Sequence, residues 1–304
     1  MTPFNVHILG CGSATPTLRH NPSMQIVDVR GKLMMIDCGE GAQKMIRAAG
    51  LSFVKISRIF ISHLHGDHCF GLIGLISSMG LLGRTADLHV YAPAEFEPML
   101  QSQIDFFIAD LSFQVVFHPV DTTRHQIICE DRAVEVWAVP LAHRVPCAGF
   151  IVREKPTLPH IRRDMIDAFD IPVSQIDNIK AGSGFTTSDG TYLAHEQLVE
   201  PADPPRAYAY CSDTRYLPEI VPMIAGVDVL YHEATYANDK KDNAAKYFHS
   251  TAEDAARIAQ AAQVGRLVIG HFSNRYEDET LLLNEALPYF PRTELAREKM
   301  IIRV

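Results

Sequence analysis

Ser62-His63-Leu64-His65-Gly66-Asp67-His68 places three imidazoles and a carboxylate directly after the short apolar run Arg58-Ile59-Phe60-Ile61. That run reads as a buried strand, and the following Cys69 to Leu82, apolar and glycine-containing, has the length of a helix. The cluster therefore sits on a strand-to-helix turn. Alternate side chains of an extended segment point the same way, so His63 and His65 can share one ion, while a bend at Gly66 turns Asp67 and His68 toward a second. Imidazole and carboxylate suit zinc and also manganese or iron, so the residue types restrict the metal without fixing it. The competing reading is a polar surface turn. Three histidines and an aspartate seldom converge behind a buried strand without chemical cause.

Moving outward, strand patterns recur at Phe4 to Leu9, Met24 to Val29, Leu33 to Ile36 and Leu88 to Tyr91, with a helix pattern at Ala42 to Ala49. Two hairpins before the first helix are not a dinucleotide-fold order. Further strands are expected at Phe113 to Phe117, Gln126 to Cys129, Val134 to Val139 and Gly149 to Val152. The second half repeats the theme. Strands at Ala207 to Cys211, Val227 to Tyr231, Leu267 to Ile269 and Lys299 to Arg303 alternate with helices near Leu217 to Ala225, Ala252 to Ala262 and Glu277 to Leu287. Strands followed by helices in both halves predict an α/β protein, a four-layer αββα sandwich with two sheets face to face and helices outside. Residues 153–205 are rich in proline, glycine and charge and do not read as core, apart from a short amphipathic helix at Ile161 to Phe169. We expect a single domain over residues 1–304 with residues 153–205 inserted as a protruding arm.

The chain of 304 residues, 47% hydrophobic, is long enough for a sizeable core. No apolar stretch is long enough to span a bilayer, and the N-terminus enters a strand pattern, so a soluble cytoplasmic protein is expected. The six cysteines lie far apart with no C-x-x-C pair, which suggests neither a thiolate zinc site nor a disulfide scaffold. The net charge of −8 argues mildly against a nucleic-acid partner. Its distribution softens that objection, because residues 84–143 alone hold a balance of −6.

Two metals need more ligands than one turn supplies. His143 follows the apolar strand ending at Pro140-Leu141, Asp213 follows Ala207 to Cys211, and His271 follows Leu267-Val268-Ile269-Gly270. Each stands where a buried strand gives way to a loop, the place where α/β architectures gather their sites. Gly10-Cys11-Gly12-Ser13-Ala14-Thr15 invites a phosphate-loop reading, but Pro16 and the next strand exclude the helix that motif requires, leaving a tight turn near the substrate.

This order of histidines and aspartates resembles the metallo-β-lactamase superfamily. Within it, the cluster at 62–68, His143-Arg144-Val145-Pro146, Ser212-Asp213-Thr214-Arg215, His232-Glu233-Ala234-Thr235, His249-Ser250-Thr251 and His271-Phe272-Ser273-Asn274-Arg275-Tyr276 are similar to the ordered motifs of the ribonuclease Z family, the tRNA 3'-processing endonucleases. The resemblance implies two zinc ions per subunit. His63, His65, His143 and Asp213 would hold one, and Asp67, His68, Asp213 and His271 the other, with Asp213 bridging. Such a pair, about 3.5–4 Å apart, activates a water for in-line attack on phosphorus. Asp67 would accept the proton of that water. No metal-bound histidine can protonate the departing ribose oxygen, so His249 is expected as the acid, oriented and kept charged by Glu233. His232 precedes Glu233 on a strand, would point to the opposite face, and is left out. Arg215, Arg275 and Tyr276 are expected either to contact RNA or to brace the site.

The resemblance further implies a precursor tRNA substrate, a homodimer, and an arm that presents tRNA to the partner's site. A phosphodiesterase acting on small cyclic nucleotides would use the same metals, and an inactive RNA-binding scaffold would keep the fold. Two departures stand out. His20 occupies the position where the family has arginine. Asp170-Ile171-Pro172-Val173-Ser174-Gln175, in the arm, lacks the family's Gly-Pro pair.

Overall fold

Alternation along Lys32–Cys38 divides its side chains between two cores. Met34 and Ile36 face the interior between the sheets, whereas Leu33 and Met35 face the helices outside. A computed structural model describes residues 3–108 and 110–304. Among the described residues, two seven-stranded sheets lie face to face. The first runs Ile301–Arg303, Phe4–Gly10, Met24–Val29, Lys32–Cys38, Ile56–Phe60, Leu88–Ala92 and Val115–Pro119. The second runs Thr293–Leu295, Arg266–Gly270, Val229–Glu233, Ala207–Cys211, Cys147–Glu154, Val134–Leu141 and Gln126–Glu130.

Each sheet is antiparallel in one half and parallel in the other, so strands from both deliver their C-terminal ends to one rim. Between the sheets Phe60 packs against Phe150, and Tyr208, Tyr210 and Tyr231 are fully buried. Two of the tyrosine hydroxyls find partners on the opposite sheet. Tyr208 donates to Gln25 and Tyr210 to Asp37, so these rings join the layers by polar contacts as well as by area. Helices Ala42–Ala48, Leu72–Leu81 and Phe96–Phe107 cover the first sheet. Helix Ala252–Ala261 covers the second through Ala255, Ala256 and Ala259, whose small size permits a close approach. This is the expected four-layer sandwich.

Several boundaries differ from the sequence expectation. The helix expected from Cys69 to Leu82 is two, Gly66–Cys69 and Leu72–Leu81, separated where the Gly71 amide donates to Cys38 O. Gly66 starts the first of them instead of making a bend; its missing Cβ leaves room for the Phe70 ring. Leu217 to Ala225 forms only a 3-10 turn, Pro218–Ile220, because Pro222 removes an amide donor and crowds the preceding turn. The helix Lys241–Tyr247, largely polar, and the three-residue strand Thr293–Leu295 were not anticipated.

The segment expected to lack a core has a small one. Strand Cys147–Glu154 continues past residue 153, so the insertion begins after Glu154 and returns at Arg206. Within it, His160–Ile161 pairs with Val199–Glu200 and Phe185–Thr186 with Tyr192–Leu193. Helices Arg163–Ala168 and Val173–Lys180 help enclose Ile171, Ile179, Leu193 and Leu198. Two-residue strands are too short to leave a periodic trace. The insertion joins the body at the sheet end away from the rim where the parallel strands finish.

A Cβ on Gly71 would lie 2.1 Å from the Gly39 carbonyl oxygen, so Gly71→Ala forces two backbones apart. We expect a loss of about 1–3 kcal/mol in a denaturant titration, the cost of overpacking. An unchanged or higher midpoint would refute the contact.

Candidate metal centre

The six expected metal-binding side chains other than Asp213 arrive from both sheets and meet around its carboxylate. His63 Nε2 lies 3.0 Å from His65 Nδ1, and His143 Nε2 lies 3.2 Å from the same atom. Asp213 Oδ2 faces this group, 3.6 Å from His63 Nε2 and 3.8 Å from His143 Nε2. On its other side Oδ1 lies 3.4 Å from His68 Nε2 and 3.2 Å from His271 Nε2. Asp67 Oδ2 completes that second group at 3.5 and 3.6 Å from the same two nitrogens. Ligand-capable atoms of His63, His65, His143 and Asp213 all fall within 4.8 Å of one another, as do those of Asp67, His68 and His271.

Hydrogen bonds on the outer nitrogens fix which atom each ring turns inward. His68 Nδ1 lies 2.7 Å from Asp37 Oδ2, His143 Nδ1 3.0 Å from Phe248 O, and His271 Nδ1 2.9 Å from Thr235 Oγ1. His63 Nδ1 lies 3.1 Å from Ser62 Oγ, whose own hydrogen goes to Asp37. With Nδ1 as the donor in each, the Nε2 lone pairs converge on the interior. His68 Nε2 and His271 Nε2 are buried without a hydrogen-bond partner, a costly arrangement that a cation relieves. Burial lowers the proton affinity of His63 and His143. Burial also opposes ionisation of Asp67 and Asp213, yet the surrounding imidazoles hold both well below the usual carboxylate range. Among the described residues no lysine or arginine is ion-paired with Asp37, Asp67, Asp213 or Glu233. The residues present fit divalent cations.

Glu233 and His249 stand beside these groups. Glu233 is fully buried and accepts from Thr214 N at 2.9 Å, Thr235 N at 3.1 Å and Thr235 Oγ1 at 2.6 Å. His249 Nδ1 lies 2.9 Å from Glu233 Oε1. Burial disfavours charge on this imidazole, but the Glu233 carboxylate outweighs it and pushes the pKa up to about 9. Thr251 next door accepts from Asp254 N and caps helix Ala252–Ala261, which fixes His249 at its mouth. His232 points away, with Nδ1 on Glu233 O, and joins neither group.

The loop at residues 11–21 reaches over the centre as a tight turn. Ala14, at φ 60°, donates its amide to Asp67 Oδ2 at 2.7 Å. The loop is clamped from below by His20, whose Nδ1 lies 3.0 Å from Glu298 and Nε2 3.1 Å from Glu279. The Glu298 hydrogen bond raises the pKa of His20, which braces the loop between two carboxylates. Arg19 bonds Glu279 and the backbone beyond His271. Tyr276 donates to Asp239 and accepts from Ala237 N, and Arg215 lies over the Phe248 ring, so both are braces. Arg275 lines the cavity above the centre, about 570 Å³ in volume, together with Arg144, Phe70 and Tyr236.

Asp37, Ala14, the Phe248 carbonyl and Arg144 were not singled out from sequence. Asp37 had a usable signal, since it ends a buried strand as Asp213 does. The Phe248 carbonyl had none, because it depends on a left-handed residue, φ 58°, after helix Lys241–Tyr247.

A family model described as Anti-Pycsar protein Apyc1 matches residues 4–129, less than half the chain. A ribonuclease Z of Bacteroides fragilis is 52% identical over 302 residues, covering 99% of both chains. This chain belongs to the ribonuclease Z family. Another ribonuclease Z, of Porphyromonas gingivalis, is 48% identical over 302 residues and 99% of both chains. Among solved structures, human tRNase Z, short form, superposes with a TM-score of 0.73 at 24% identity over 99% of both chains, a likeness of fold. Membership in the ribonuclease Z family implies divalent-metal binding, for which these groups of histidines and aspartates are the candidates.

Asp37 receives Ser62 N, Ser62 Oγ, Tyr210 OH and His68 Nδ1. Asp37→Asn puts an amide donor among donors and removes the charge that orients His68. We expect zinc affinity to fall about 10–100-fold in a chelator competition. Unchanged affinity would show that His68 needs no such orientation.

Proposed function

We propose that this chain is a metal-dependent endoribonuclease that removes the 3' trailer from tRNA precursors and leaves a 3'-hydroxyl on the tRNA. The observation that carries the reading is the pairing of His249 with Glu233 at 2.9 Å, in the same cavity as two imidazole–carboxylate groups that share Asp213. Hydrolysis of a phosphodiester needs a proton acceptor on the water side and a donor on the departing side. Asp67 lines the cavity, held by the Ala14 amide, and takes the proton from the attacking water. His249 keeps a proton at Nε2 and passes it to the ribose 3'-oxygen as the P–O bond breaks, so the phosphate stays on the trailer.

His63, His65, His143 and Asp213 would hold one zinc ion, and Asp67, His68, Asp213 and His271 a second, though manganese or iron suits the same donors. Bound there, the pair would supply Lewis acidity and lower the pKa of water. Arg144 and Arg275 meet backbone phosphates at the cavity wall, and Phe70 and Tyr236 offer flat faces to unstacked bases.

We further read the enzyme as a single-domain homodimer whose inserted segment is an arm. Leu81 and Leu82 are exposed at the end of one helix and Met99, Phe106 and Phe107 along the next, apolar surface that a second copy would cover. The arm leaves at the sheet end away from the metal centre, which suits service to the partner's site. All six cysteines are free, in keeping with a reducing cytoplasm, and among the described residues no helix is long and apolar enough to cross a membrane.

Metal-loaded protein incubated with a trailer-bearing tRNA precursor should release the trailer, with a cyclic nucleotide assayed in parallel. Turnover of the cyclic nucleotide alone would sink the tRNA reading. His249→Ala should slow cleavage about 10²–10⁴-fold with metal content intact, whereas Asp213→Ala should lose both. Metal depletion in His249→Ala would make His249 a ligand. Because the acid works only while protonated and its pKa is raised, kcat should persist below and fall as pH rises through about 9. Glu233→Gln should move that alkaline limb toward the ordinary histidine value, and a limb that stays in place would remove Glu233 from the role.

A further inference from the structure

A second concave site lies where the insertion meets the body. Its cavity of about 430 Å³ is walled by four separate segments, the hairpin turn at Arg30, the turn at Arg132, the strand end at Glu154-Lys155, and the insertion itself through Lys180 and Asp203 to Arg206. Arg30, Arg132, Lys155, Lys180 and Arg206 bring five cations to it against the carboxylates of Glu154 and Asp203. In a chain of net charge −8 this is a local reversal of sign.

The cations are not equally committed. Glu154 is buried and pairs with Arg206 at 2.8 Å and with Arg30 at 3.5 Å, so one carboxylate serves two guanidiniums. Lys155 pairs outward with Glu130, and Asp203 lies 3.9 Å from His160. Among the described residues Arg132 and Lys180 have no ion-pair partner. They stand on different segments, one in the body and one at the C-terminal end of helix Val173–Lys180 in the insertion. Like charges held across a concavity repel unless an anion sits between them.

We propose that this pocket binds the phosphate backbone of the precursor RNA, a docking site that rests on the functional reading above. An open pocket whose cations stand on long side chains, Arg30 and Arg132 exposed and Lys155, Lys180 and Arg206 half-buried, is poorly suited to capturing one small anion. It suits a passing row of phosphates, neutralised by side chains that adjust to each. Strand Cys147–Glu154 spans the distance between the two sites, Cys147 Sγ contacting Asp213 O at one end and Glu154 lining the pocket at the other. Eight residues at about 3.3 Å each separate them by about 23–26 Å. RNA bound here touches the protein far from its own subunit's metal centre and meets none of the candidate catalytic residues, so the contact adds affinity without entering the chemistry.

The test compares wild type with the double variant Arg132→Ala/Lys180→Ala, using precursor binding across a salt series and steady-state cleavage. We expect the slope of log K against log salt to become shallower by about 1–2, the loss of one or two phosphate contacts. KM for the precursor should rise several-fold with kcat unchanged, and turnover of a small chromogenic phosphodiester should stay at the wild-type value. A wild-type slope and KM in the double variant would overturn the docking site while leaving the nuclease reading standing. Saturable inorganic phosphate binding that the double variant loses, with precursor binding unchanged, would also overturn it and assign the pocket to a free anion. Failure of wild type to cleave the precursor would strike the functional reading separately, since the salt slopes measure binding alone.

Discussion

The Asp213 carboxylate lies buried between two groups of imidazoles, one oxygen toward each, and the rest of the site is arranged around what that carboxylate requires. A buried anion is tolerated only where opposite charge or donors meet it. Here the neighbours are rings whose outer nitrogens are already engaged by Asp37, Ser62, Phe248 and Thr235. While those rings are neutral their inner nitrogens present lone pairs, not donors, so the charge is best met by cations from outside. Asp67 and Glu233 extend the same electronegative interior, and Glu233 meets it with three backbone and hydroxyl donors and a protonated His249.

Holding so many polar groups inside a sandwich requires backbone shapes that ordinary residues avoid. Ala14, Asp37, Phe248 and His271 all have φ between 55° and 61°. Each occupancy of the left-handed region costs about 1–2 kcal/mol for a residue with a side chain. Each also has an identifiable use: an amide on Asp67, a carboxylate under His68, a carbonyl on His143, and a ring turned back toward Asp213. Strain of this kind persists where the surrounding packing over-determines it. The capped helix after His249 and the carboxylate clamp on His20 are such surroundings.

Most strands and most of the outer helices could be read from apolar runs and helical periodicity, because strands such as Lys32–Cys38 are buried on both faces by different partners and so are apolar almost throughout. The run His63 to His68 disclosed a metal site since four ligand-capable residues lie together. The strand-end positions of His143, Asp213 and His271 then identified the remaining candidates. Helix Phe96–Phe107 was missed outright; the other misses depend on tertiary approach or on very short elements. Gly71 ends a helix because a neighbouring loop comes within contact, and the small core around Ile179 and Leu198 is assembled from pieces too short to have a period. Asp37 escaped for another reason. Its place at the end of a buried strand was a usable signal, but the role it serves became visible only once its four donors were in view.

His63, His65, Asp67 and His68 follow a strand of the first sheet, whereas His143, Asp213 and His271 follow strands of the second. Neither sheet alone assembles a set of ligands, since Asp213 must face both groups across the interface between the layers. Metal uptake therefore reports how the two sheets are docked. A cation binding only the docked form lends its binding free energy to the interface. The same linkage runs in reverse: a packing defect at Tyr208 or Phe150, neither of them a candidate ligand, would become visible as weaker retention of metal.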